Sequence, residues 1–248
     1  MEFFRSDGLD LAYEVAGEGR PIMLVHGFAS THRVNWIDTG WVQTLNKAGF
    51  MVVMADGRGH GQSAAPHDHE SYALDRMAGD VVRLMDHLAI PQADLMGYSM
   101  GGMVSLMAAS LTPERFSHVI GAGIGETLLR GERHADAIVA ALQAPDLRSV
   151  ANNGARVYRV FADMNRQDRV AMAFCIEKIL EPFPLASLAA IDVPVLIATG
   201  DKDVNAGDPH VLAARIPGAK VAVIPGRDHM KAVGDKVYKA AALDFLAE

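Results

Sequence analysis

Six short apolar runs, spread along the chain, limit the folds that this sequence can adopt. Glycine or aspartate lies at or near the end of each run, and a longer helical pattern separates most of them. They occupy residues 21–27, 51–57, 93–99, 117–123, 193–201 and 220–226. Nearly continuous apolar runs of this length are typical of strands with both faces buried in a parallel sheet. The sequence therefore predicts an α/β protein.

The segments between the runs are predicted to be crossover helices. They lie at residues 41–48, 74–89, 100–111, 211–216 and 231–246. Right-handed crossovers place such helices on both faces of a doubly wound, mostly parallel sheet. Segment 9–17 alternates between apolar and polar residues, which predicts an antiparallel strand at the sheet edge.

A gap of about seventy residues between runs 117–123 and 193–201 is far longer than one crossover needs. It contains predicted helices at 135–142, 146–161 and 166–180. An insertion at the carboxyl end of a parallel strand lies over the ligand crevice of such a sheet. We therefore predict a core domain of residues 1–124 and 188–248, with a small helical cap of residues 125–187.

Composition excludes several classes of protein. The formal net charge of -7 offers no basic surplus for a nucleic-acid backbone. A single cysteine excludes an intramolecular disulfide and a multi-cysteine zinc site. No leader pattern and no run of 18 apolar residues is present, so we expect a cytoplasmic protein with no membrane contact. The sequence carries no prediction of oligomeric state.

Gly97, Ser99 and Gly101 form the pattern G-x-S-x-G between a predicted strand and a predicted helix. On such a tight strand-to-helix turn, the serine hydroxyl is exposed above the sheet. A free hydroxyl is a weak nucleophile, so it needs a base and an acid that orients the base. Taken alone, the pattern is also compatible with a serine in a glycine-rich turn.

Three other strand ends supply the groups that an exposed serine needs. The backbone amide of Phe28, in the motif V-H-G-F, and that of Met100 are placed to bind a developing oxyanion. The last two apolar runs lead to two candidate acids, Asp201 and Asp203, and to a candidate base, His229. All lie at the carboxyl edge of the predicted sheet.

The chain resembles the α/β-hydrolase family, in particular its serine esterases, cofactor-free haloperoxidases and carbon-carbon hydrolases. The resemblance covers nearly the whole chain. It rests on the motifs H-G-F, D-G-R-G-H-G-Q-S at 56–63, G-Y-S-M-G-G, G-D-K-D and the late D-H. The cap is predicted to follow the sixth strand. The expected enzyme acts on a small-molecule substrate, and an acyl-enzyme reaction needs neither a metal nor an organic cofactor.

The resemblance assigns a role to each triad residue. It makes Ser99 the nucleophile, Asp203 the acid and His229 the base. The family places the acid three residues after a glycine, which favours Asp203 over Asp201. His229 follows a strand, whereas the competing His210 lies beside a proline at a helix start.

A largely apolar pocket for a small or medium acyl group is predicted under the cap. Its predicted wall consists of Trp36, Tyr98, Phe161 and Met164. An alternative is recognition of a carboxylate by polar cap residues. The candidates for this are Arg130, Arg133, His134 and Arg159.

The sequence leaves open which bond is cleaved. Hydrolysis of a carboxylic ester through an acyl-enzyme is the leading hypothesis. The same triad also serves carbon-carbon cleavage of a diketone and cofactor-free perhydrolysis. A non-catalytic receptor for a small ligand is the alternative from another class. Epoxide hydrolases and haloalkane dehalogenases are disfavoured, because they resemble this chain but place aspartate where it has Ser99.

Other polar residues have structural explanations. Asp56 and Arg58 match the family's structural loop and are expected to tie neighbouring turns together. His67 and His69 have no third ligand at a suitable spacing, so a surface loop is favoured over a metal site. Cys175 lies in an apolar helical segment and is predicted to be buried.

Overall fold

An eight-stranded sheet forms the centre of the protein in the computed structural model, which describes residues 1–131 and 135–248. The strands are β1 (Glu2–Ser6), β2 (Leu9–Ala16), β3 (Arg20–Val25), β4 (Phe50–Ala55), β5 (Ala93–Tyr98), β6 (Phe116–Ala122), β7 (Val195–Gly200) and β8 (Lys220–Ile224). Their order is β1-β2-β4-β3-β5-β6-β7-β8. The β1-β2 and β2-β4 pairs are antiparallel, and the other pairs are parallel.

The described residues form eleven α-helices. These are α1 (Trp41–Lys47), α2 (Leu74–His87), α3 (Met100–Leu111), α4 (Thr127–Arg130), α5 (Ala135–Gln143), α6 (Asn153–Met164), α7 (Arg169–Ile179), α8 (Leu185–Ala189), α9 (Pro209–Ala213), α10 (His229–Ala232) and α11 (Lys236–Leu246). The predicted helix 231–246 is two helices, because Asp235 caps a new one at α11. In this part of the chain, no helix combines the length and apolar character needed to cross a membrane.

Successive residues of the central strands pack into two separate apolar layers. Leu95 belongs to the layer that includes α2 and α3, whereas the next residue, Met96, belongs to the layer that includes α1 and α11. Val119 and Ile120 divide between the layers in the same way. Neither face of these strands meets water, which explains why the apolar runs are continuous. The predicted doubly wound α/β architecture is confirmed.

The sheet edge differs from the prediction. Segment 9–17 forms β2, which is antiparallel as predicted, but β2 lies between β1 and β4, so β1 is the edge strand. Asp7 and Gly8 join β1 to β2 with φ values of 48° and 80°. An Asp-Gly pair with two positive φ values is the usual two-residue hairpin turn. That dipeptide is the sequence signal for β1.

Five helices, α4 to α8, lie between β6 and β7, and we refer to them as the cap. Two of them begin later than predicted, because polar side chains cap them further along the chain. Asn152 accepts a hydrogen bond from the Ala155 amide at the start of α6, and Asp168 accepts from two amides at the start of α7. The predicted cap limits, residues 125 and 187, stay a prediction.

β5 passes into α3 through a turn with little free space. A Cβ atom on Gly101 would lie 1.9 Å from the Val25 carbonyl oxygen, and one on Gly97 would lie 1.9 Å from the Gly101 carbonyl oxygen. A Cβ on Gly102 would lie 3.1 Å from the Ala122 carbonyl oxygen, which is tight but not overlapping. Gly97 and Gly101 therefore let α3 begin directly against the ends of β3 and β5.

Two buried imidazoles join the loops that follow β3 and β4. His26 Nδ1 contacts the carbonyl of the next residue at 2.8 Å, and its Nε2 accepts from the Gly57 amide at 2.9 Å. His60 Nδ1 lies 3.0 Å from a carbonyl, and its Nε2 accepts from the Ala29 amide at 3.0 Å. Each ring thus donates through one nitrogen and accepts through the other, which requires the neutral form. Burial lowers the pKa of both rings, to about 3 for His60.

Two buried ions hold the same loops, as predicted. Arg58 donates to both carboxylate oxygens of Asp80, at 2.5 and 2.8 Å. Asp56 accepts from the backbone amide and the ring of His32, at 2.9 and 2.8 Å. Burial by itself would raise the pKa of Asp56, but these hydrogen bonds outweigh it and lower the pKa to about 2.

Replacing Gly101 by alanine tests the contact between α3 and β3. We expect Gly101→Ala to destabilise the protein by about 3 kcal/mol or more, because the new methyl overlaps a backbone carbonyl that cannot move away. The matched variant Gly102→Ala should change stability by about 1 kcal/mol or less, since the helix propensity of alanine offsets the tighter contact. Urea unfolding of the two variants measures the difference, and equal stabilities would contradict the explanation.

The neutral His60 ring predicts a loss of stability in acid. The unfolded chain binds a proton at His60 near pH 6.5, whereas the folded protein does so only near pH 3. Between these values the unfolded state holds more protons, so the free energy of unfolding falls as the pH is lowered. His60→Gln should reduce this slope by about 1 kcal/mol per pH unit.

Urea unfolding between pH 7 and pH 4.5 measures the slope. His210→Gln, a matched variant at an exposed position, should keep the wild-type slope. An equal slope in wild type and His60→Gln would contradict the explanation, because it would mean that His60 binds its proton over the same pH range in the folded and unfolded states.

Candidate active site

Three side chains from three strand ends form a continuous hydrogen-bonded chain. His229 Nε2 lies 3.0 Å from Ser99 Oγ, and His229 Nδ1 lies 2.7 Å from Asp203 Oδ2. Asp203 is buried and His229 is partly buried. Because an ionised carboxylate only accepts hydrogen bonds, a neutral His229 carries its proton on Nδ1 and leaves Nε2 free to accept from the serine.

The position of Ser99 depends on the strained turn between β5 and α3. Its φ and ψ angles are 56° and -118°, a conformation that non-glycine residues seldom adopt. The Ser99 amide donates to the Ala122 carbonyl at 2.7 Å, which holds the turn against β6. Strain of this kind persists only where the surroundings enforce it, and here the close packing at Gly97 and Gly101 does so.

The loop after β7 fixes the acid. The second oxygen of Asp203, Oδ1, accepts hydrogen bonds from the Asn205 and Ala206 amides at 3.1 and 3.0 Å. Asp201 is exposed, and its Oδ1 accepts from the Gly226 amide at 2.6 Å, so it braces the neighbouring loop. Of the two candidate acids, the structure brings Asp203 to the histidine.

Phe28 and Met100 belong to the same site, and their backbone amides are candidate hydrogen-bond donors. Phe28 and Met100 line the cavity beside the serine hydroxyl. Over residues 1–131 and 135–248, neither amide donates a hydrogen bond to another residue. Met100 is the first residue of α3, so the positive end of the helix dipole adds to the potential there. The pair is therefore able to donate to an oxyanion.

The loop around Phe28 is fixed on both sides. The Gly27 amide donates to Asn35 Oδ1 at 3.1 Å, and the Ala29 amide donates to His60 Nε2 at 3.0 Å. Ala29 has a φ of 55°. These side-chain acceptors occupy the flanking amides and leave the Phe28 amide for the cavity.

A cavity of about 400 Å³ lies between the sheet edge and the cap, with Ser99 and His229 in its wall. Most of the lining is apolar, for example Met103, Ile124, Leu128, Ile176 and Ile179. The described lining residues include no lysine or arginine. Glu181 is exposed at the cavity and lies 3.2 Å from Lys178. An uncharged, largely apolar group suits this lining.

The predicted pocket residues divide into two pairs. Tyr98 and Phe161 line the cavity as expected. Trp36 is fully buried and packs against Trp41 in the apolar layer on the other face of the sheet. Met164 is 75% exposed at the end of α6. The prediction was wrong for Trp36 and Met164, because sequence spacing does not determine which way a side chain points.

The polar cap residues have other partners where the structure describes them. Arg130 pairs with Glu126. Arg159 is buried, donates to the Ala141 and Ala144 carbonyls at 3.0 and 2.7 Å, and pairs with Asp163. Arg133 and His134 lie outside the described residues. Recognition of a carboxylate by Arg130 or Arg159 is therefore not supported.

Sequence reasoning missed two cap residues that hold the Phe28 loop. Asn165 Nδ2 donates to the Ala29 carbonyl at 2.9 Å, and Gln167 Nε2 donates to the Ser30 carbonyl at 3.0 Å. Gln167 Oε1 also accepts from the Gly61 amide at 3.0 Å. More than a hundred positions separate these partners in the chain, so no local pattern identifies them.

His67 and His69 also join the core to the cap. His67 lies 2.9 Å from Asp168, and His69 lies 3.1 Å from Glu177. In the part of the chain that the structure describes, no three histidine, cysteine, aspartate or glutamate side chains are grouped as a metal would require. The predicted surface loop is confirmed. Cys175 is buried as predicted, with its sulfur 3.7 Å from that of Met100.

Comparisons with known proteins identify relatives of this chain. It is 32% identical over 241 residues to the dihydrolipoyllysine-residue acetyltransferase component of the acetoin cleaving system of Pseudomonas putida, covering 88% of this chain and 61% of that protein. It is 31% identical over 169 residues to 3-oxoadipate enol-lactonase 2 of Acinetobacter baylyi, covering 62% of each chain. The chain thus spans about three fifths of the length of these two relatives. It is also 32% identical over 130 residues to an epoxide hydrolase of Caballeronia sordidicola, covering 51% of this chain and 37% of that protein.

The fold and the family follow from two further matches. The enol-lactonase from Burkholderia xenovorans LB400 superposes with a TM-score of 0.83 over 100% of both chains at 24% identity. That likeness concerns the fold alone. The sequence profile described as alpha/beta hydrolase fold matches residues 20–148, about half of the chain. Because this match spans just over half of the chain, the chain belongs to the alpha/beta hydrolase fold family.

Proposed function

We propose that this protein is a serine hydrolase that cleaves a small or medium carboxylic ester through an acyl-enzyme. The observation that carries the proposal is the pair of hydrogen bonds, 3.0 and 2.7 Å long, that connects Ser99, His229 and Asp203. The likeness to an enol-lactonase supports ester chemistry, because a lactone is a cyclic ester.

In the acylation step, the Ser99 oxygen forms a bond to the ester carbonyl carbon while its proton moves to His229 Nε2. The carbonyl electron pair moves onto the carbonyl oxygen, which then accepts from the amides of Phe28 and Met100. Asp203 stabilises the imidazolium that results. The intermediate collapses, the carbon-oxygen bond to the alcohol breaks, and the alcohol leaves with the proton from His229.

Deacylation repeats these movements with water. A water molecule transfers one proton to His229 Nε2 as its oxygen bonds to the acyl carbon. The tetrahedral intermediate then collapses and the bond to Ser99 breaks. The serine recovers the proton from His229, and the carboxylic acid leaves. One water is consumed in each cycle, and the protein returns to its starting protonation state.

The proposed acyl group is uncharged. The cavity wall is mostly apolar, and its described residues include no cation that would pair with a carboxylate. Glu181 at the cavity would disfavour an anionic acyl group further. The predicted wall residues Tyr98 and Phe161 would contact the acyl chain. A cytoplasmic location stays a prediction.

The alternatives use the same site. Carbon-carbon cleavage of a diketone and perhydrolysis both start from this triad, and a small-ligand receptor would use the same cavity without turnover. The matches to epoxide hydrolases concern about half of the chain. The group at the turn here is a serine hydroxyl bonded to a histidine, which suits attack on a carbonyl.

Ser99→Ala tests the nucleophile. We expect kcat for p-nitrophenyl butyrate to fall at least about a thousandfold, because the variant lacks the oxygen that forms the acyl-enzyme. The matched variant Ser110→Ala lies on the same helix, where the hydroxyl donates to the Met107 carbonyl at 2.8 Å, and it should keep wild-type turnover. Ester hydrolysis and labelling by a fluorophosphonate measure the two effects. Undiminished turnover by Ser99→Ala would refute the assignment.

The same preparation distinguishes the alternatives. A kcat/KM for a ring-fission diketone well above that for simple esters would favour carbon-carbon cleavage. Peracid formation from acetate and hydrogen peroxide, without ester turnover, would favour perhydrolysis. Saturable binding of a small ligand together with no fluorophosphonate labelling of Ser99 would favour a receptor.

The two acidic residues after β7 provide a second test. We expect Asp203→Asn to lower kcat by roughly a thousandfold to ten-thousandfold, because an amide at this position favours the wrong histidine tautomer. Asp201→Asn should stay within about threefold of wild type, since an amide oxygen also accepts the hydrogen bond from Gly226. Steady-state kinetics with one ester measures both variants. A larger loss for Asp201→Asn would reassign the acid.

A further inference from the structure

Asn165 and Gln167 follow the end of α6 and hold the backbone that comes directly after Phe28. Asn165 Nδ2 donates to the Ala29 carbonyl at 2.9 Å, and Gln167 Nε2 donates to the Ser30 carbonyl at 3.0 Å. Both carbonyls lie within two positions of Phe28, whose amide is a proposed oxyanion donor. A segment of the cap is therefore bonded to the backbone beside a group that the proposed reaction uses.

Gln167 also closes a ring of hydrogen bonds around this backbone. It is 8% exposed, and its Oε1 accepts from the Gly61 amide at 3.0 Å. The neighbouring residue, His60, accepts through Nε2 from the Ala29 amide at 3.0 Å. A path from Ala29 through His60, Gly61 and Gln167 thus returns to the chain at Ser30. The cap and the loops after β3 and β4 are held together by one group of bonds.

Ala29 has a backbone conformation that needs such support. Its φ of 55° lies in the left-handed region, which non-glycine residues seldom occupy. Strain of this kind persists where the surroundings enforce it. Hydrogen bonds with His60 and Asn165 engage the Ala29 amide and carbonyl, on the two sides of the strained residue. Without the bond from the cap, we expect Ala29 to relax and Phe28, which precedes it, to shift.

The way in which α6 ends fixes both donors to that helix. The Arg166 amide donates to the Asp163 carbonyl at 3.1 Å, and the Gln167 amide donates to the Ala162 carbonyl at 2.9 Å. Together with a φ of 55° at Arg166, these bonds form a Schellman motif. Arg166 itself is exposed. Asn165 and Gln167, on either side of it, are therefore set by the position of α6.

The same helix forms part of the cavity wall. Val157, Tyr158 and Phe161 of α6 line the cavity in which the acyl group is proposed to bind. The described lining residues do not include Asn165 or Gln167. Substitutions at these two positions therefore alter the loop without removing a side chain that would contact the acyl group. This separates an effect on catalysis from an effect on substrate binding.

We propose that Asn165 and Gln167 are positioning residues of the reaction. From the cap, they hold Ala29 and Ser30 so that the Phe28 amide stays within hydrogen-bond distance of the developing oxyanion. This role rests on the proposed ester hydrolysis. A donor displaced by about 1 Å can cost about a hundredfold in rate. Because the contact forms as charge develops on the oxygen, its loss lowers kcat and leaves KM nearly unchanged.

Gln167→Met and Asn165→Leu test this role, because each removes a donor with little change in side-chain size. We expect each variant to lower kcat for p-nitrophenyl butyrate about tenfold or more, with KM within about threefold of wild type. The second variant changes a half-buried residue, so it tests the role even if Gln167→Met does not fold.

A transition-state analogue provides the second measurement. In propyl trifluoromethyl ketone, the Ser99 oxygen bonds to the carbonyl carbon, the serine proton moves to His229, and the carbonyl oxygen becomes an oxyanion. Its inhibition constant should rise about tenfold or more in both variants, because the oxyanion loses the contact with Phe28. Neither KM nor an inhibition constant depends on the fraction of folded protein, so partial unfolding would not produce this result.

Gln92→Met is the matched control. Gln92 is an exposed residue whose Nε2 donates to the Glu114 carbonyl at 3.3 Å. It lies directly before β5, at the end of this strand away from Ser99. The same chemical change at this position should keep the wild-type kcat, KM and inhibition constant.

Three outcomes would overturn the positioning role alone. Wild-type kcat and inhibitor binding in both variants would mean that the Phe28 amide keeps its place without the cap. A higher KM with unchanged kcat would mean that the two residues shape the acyl site. A lower kcat with wild-type inhibitor binding would place their effect outside the oxyanion contact. If the wild-type protein neither cleaved the ester nor bound the ketone, the proposed function itself would fail.

Discussion

The contact between the first turn of α3 and the ends of β3 and β5 is the constraint on which the rest of the site depends. Gly97 and Gly101 have no Cβ atoms, so backbone meets backbone at distances that any side chain would block. This forces Ser99 into a φ of 56° and exposes its hydroxyl at the sheet edge. The same contact directs the start of a helix toward the Phe28 loop. The exposed serine hydroxyl, the direction of the helix dipole and the position of the Met100 amide are thus consequences of one packing arrangement.

Side chains from distant parts of the chain hold the loops around that contact. His26 and His60, both neutral because they are buried, connect the loops after β3 and β4. Asn165 and Gln167 then fasten the cap to the backbone on the far side of Phe28. The cap is therefore more than a cover over the cavity, since it contributes to the position of a proposed oxyanion donor. His26, His60 and Gln167 are buried, and both polar side-chain atoms of each have hydrogen-bond partners, which favours a single loop conformation.

The fold could be predicted in most respects because its signals are local. Continuous apolar runs identified the buried strands, and G-x-S-x-G between a strand and a helix located the sharp turn at Ser99. The sequence analysis did not predict β1, although Asp7 and Gly8 are a typical signal for the hairpin turn between β1 and β2. The cap helices were predicted, but the starts of α6 and α7 depend on the capping side chains of Asn152 and Asp168. Periodicity predicts that a helix exists more reliably than where it begins.

By itself, the sequence determined the α/β architecture, the strand ends that carry polar groups and the triad candidates. These features could be predicted because strand burial and turn formation depend on residues that are close together in the chain. The resemblance favoured Asp203 over Asp201, and the tertiary structure shows that Asp203 is the carboxylate that reaches His229. It also placed Trp36 on the wrong face of the sheet for a pocket. The direction of a side chain and the hydrogen bonds between distant residues depend on packing between segments far apart in the chain. A local sequence pattern therefore does not predict them.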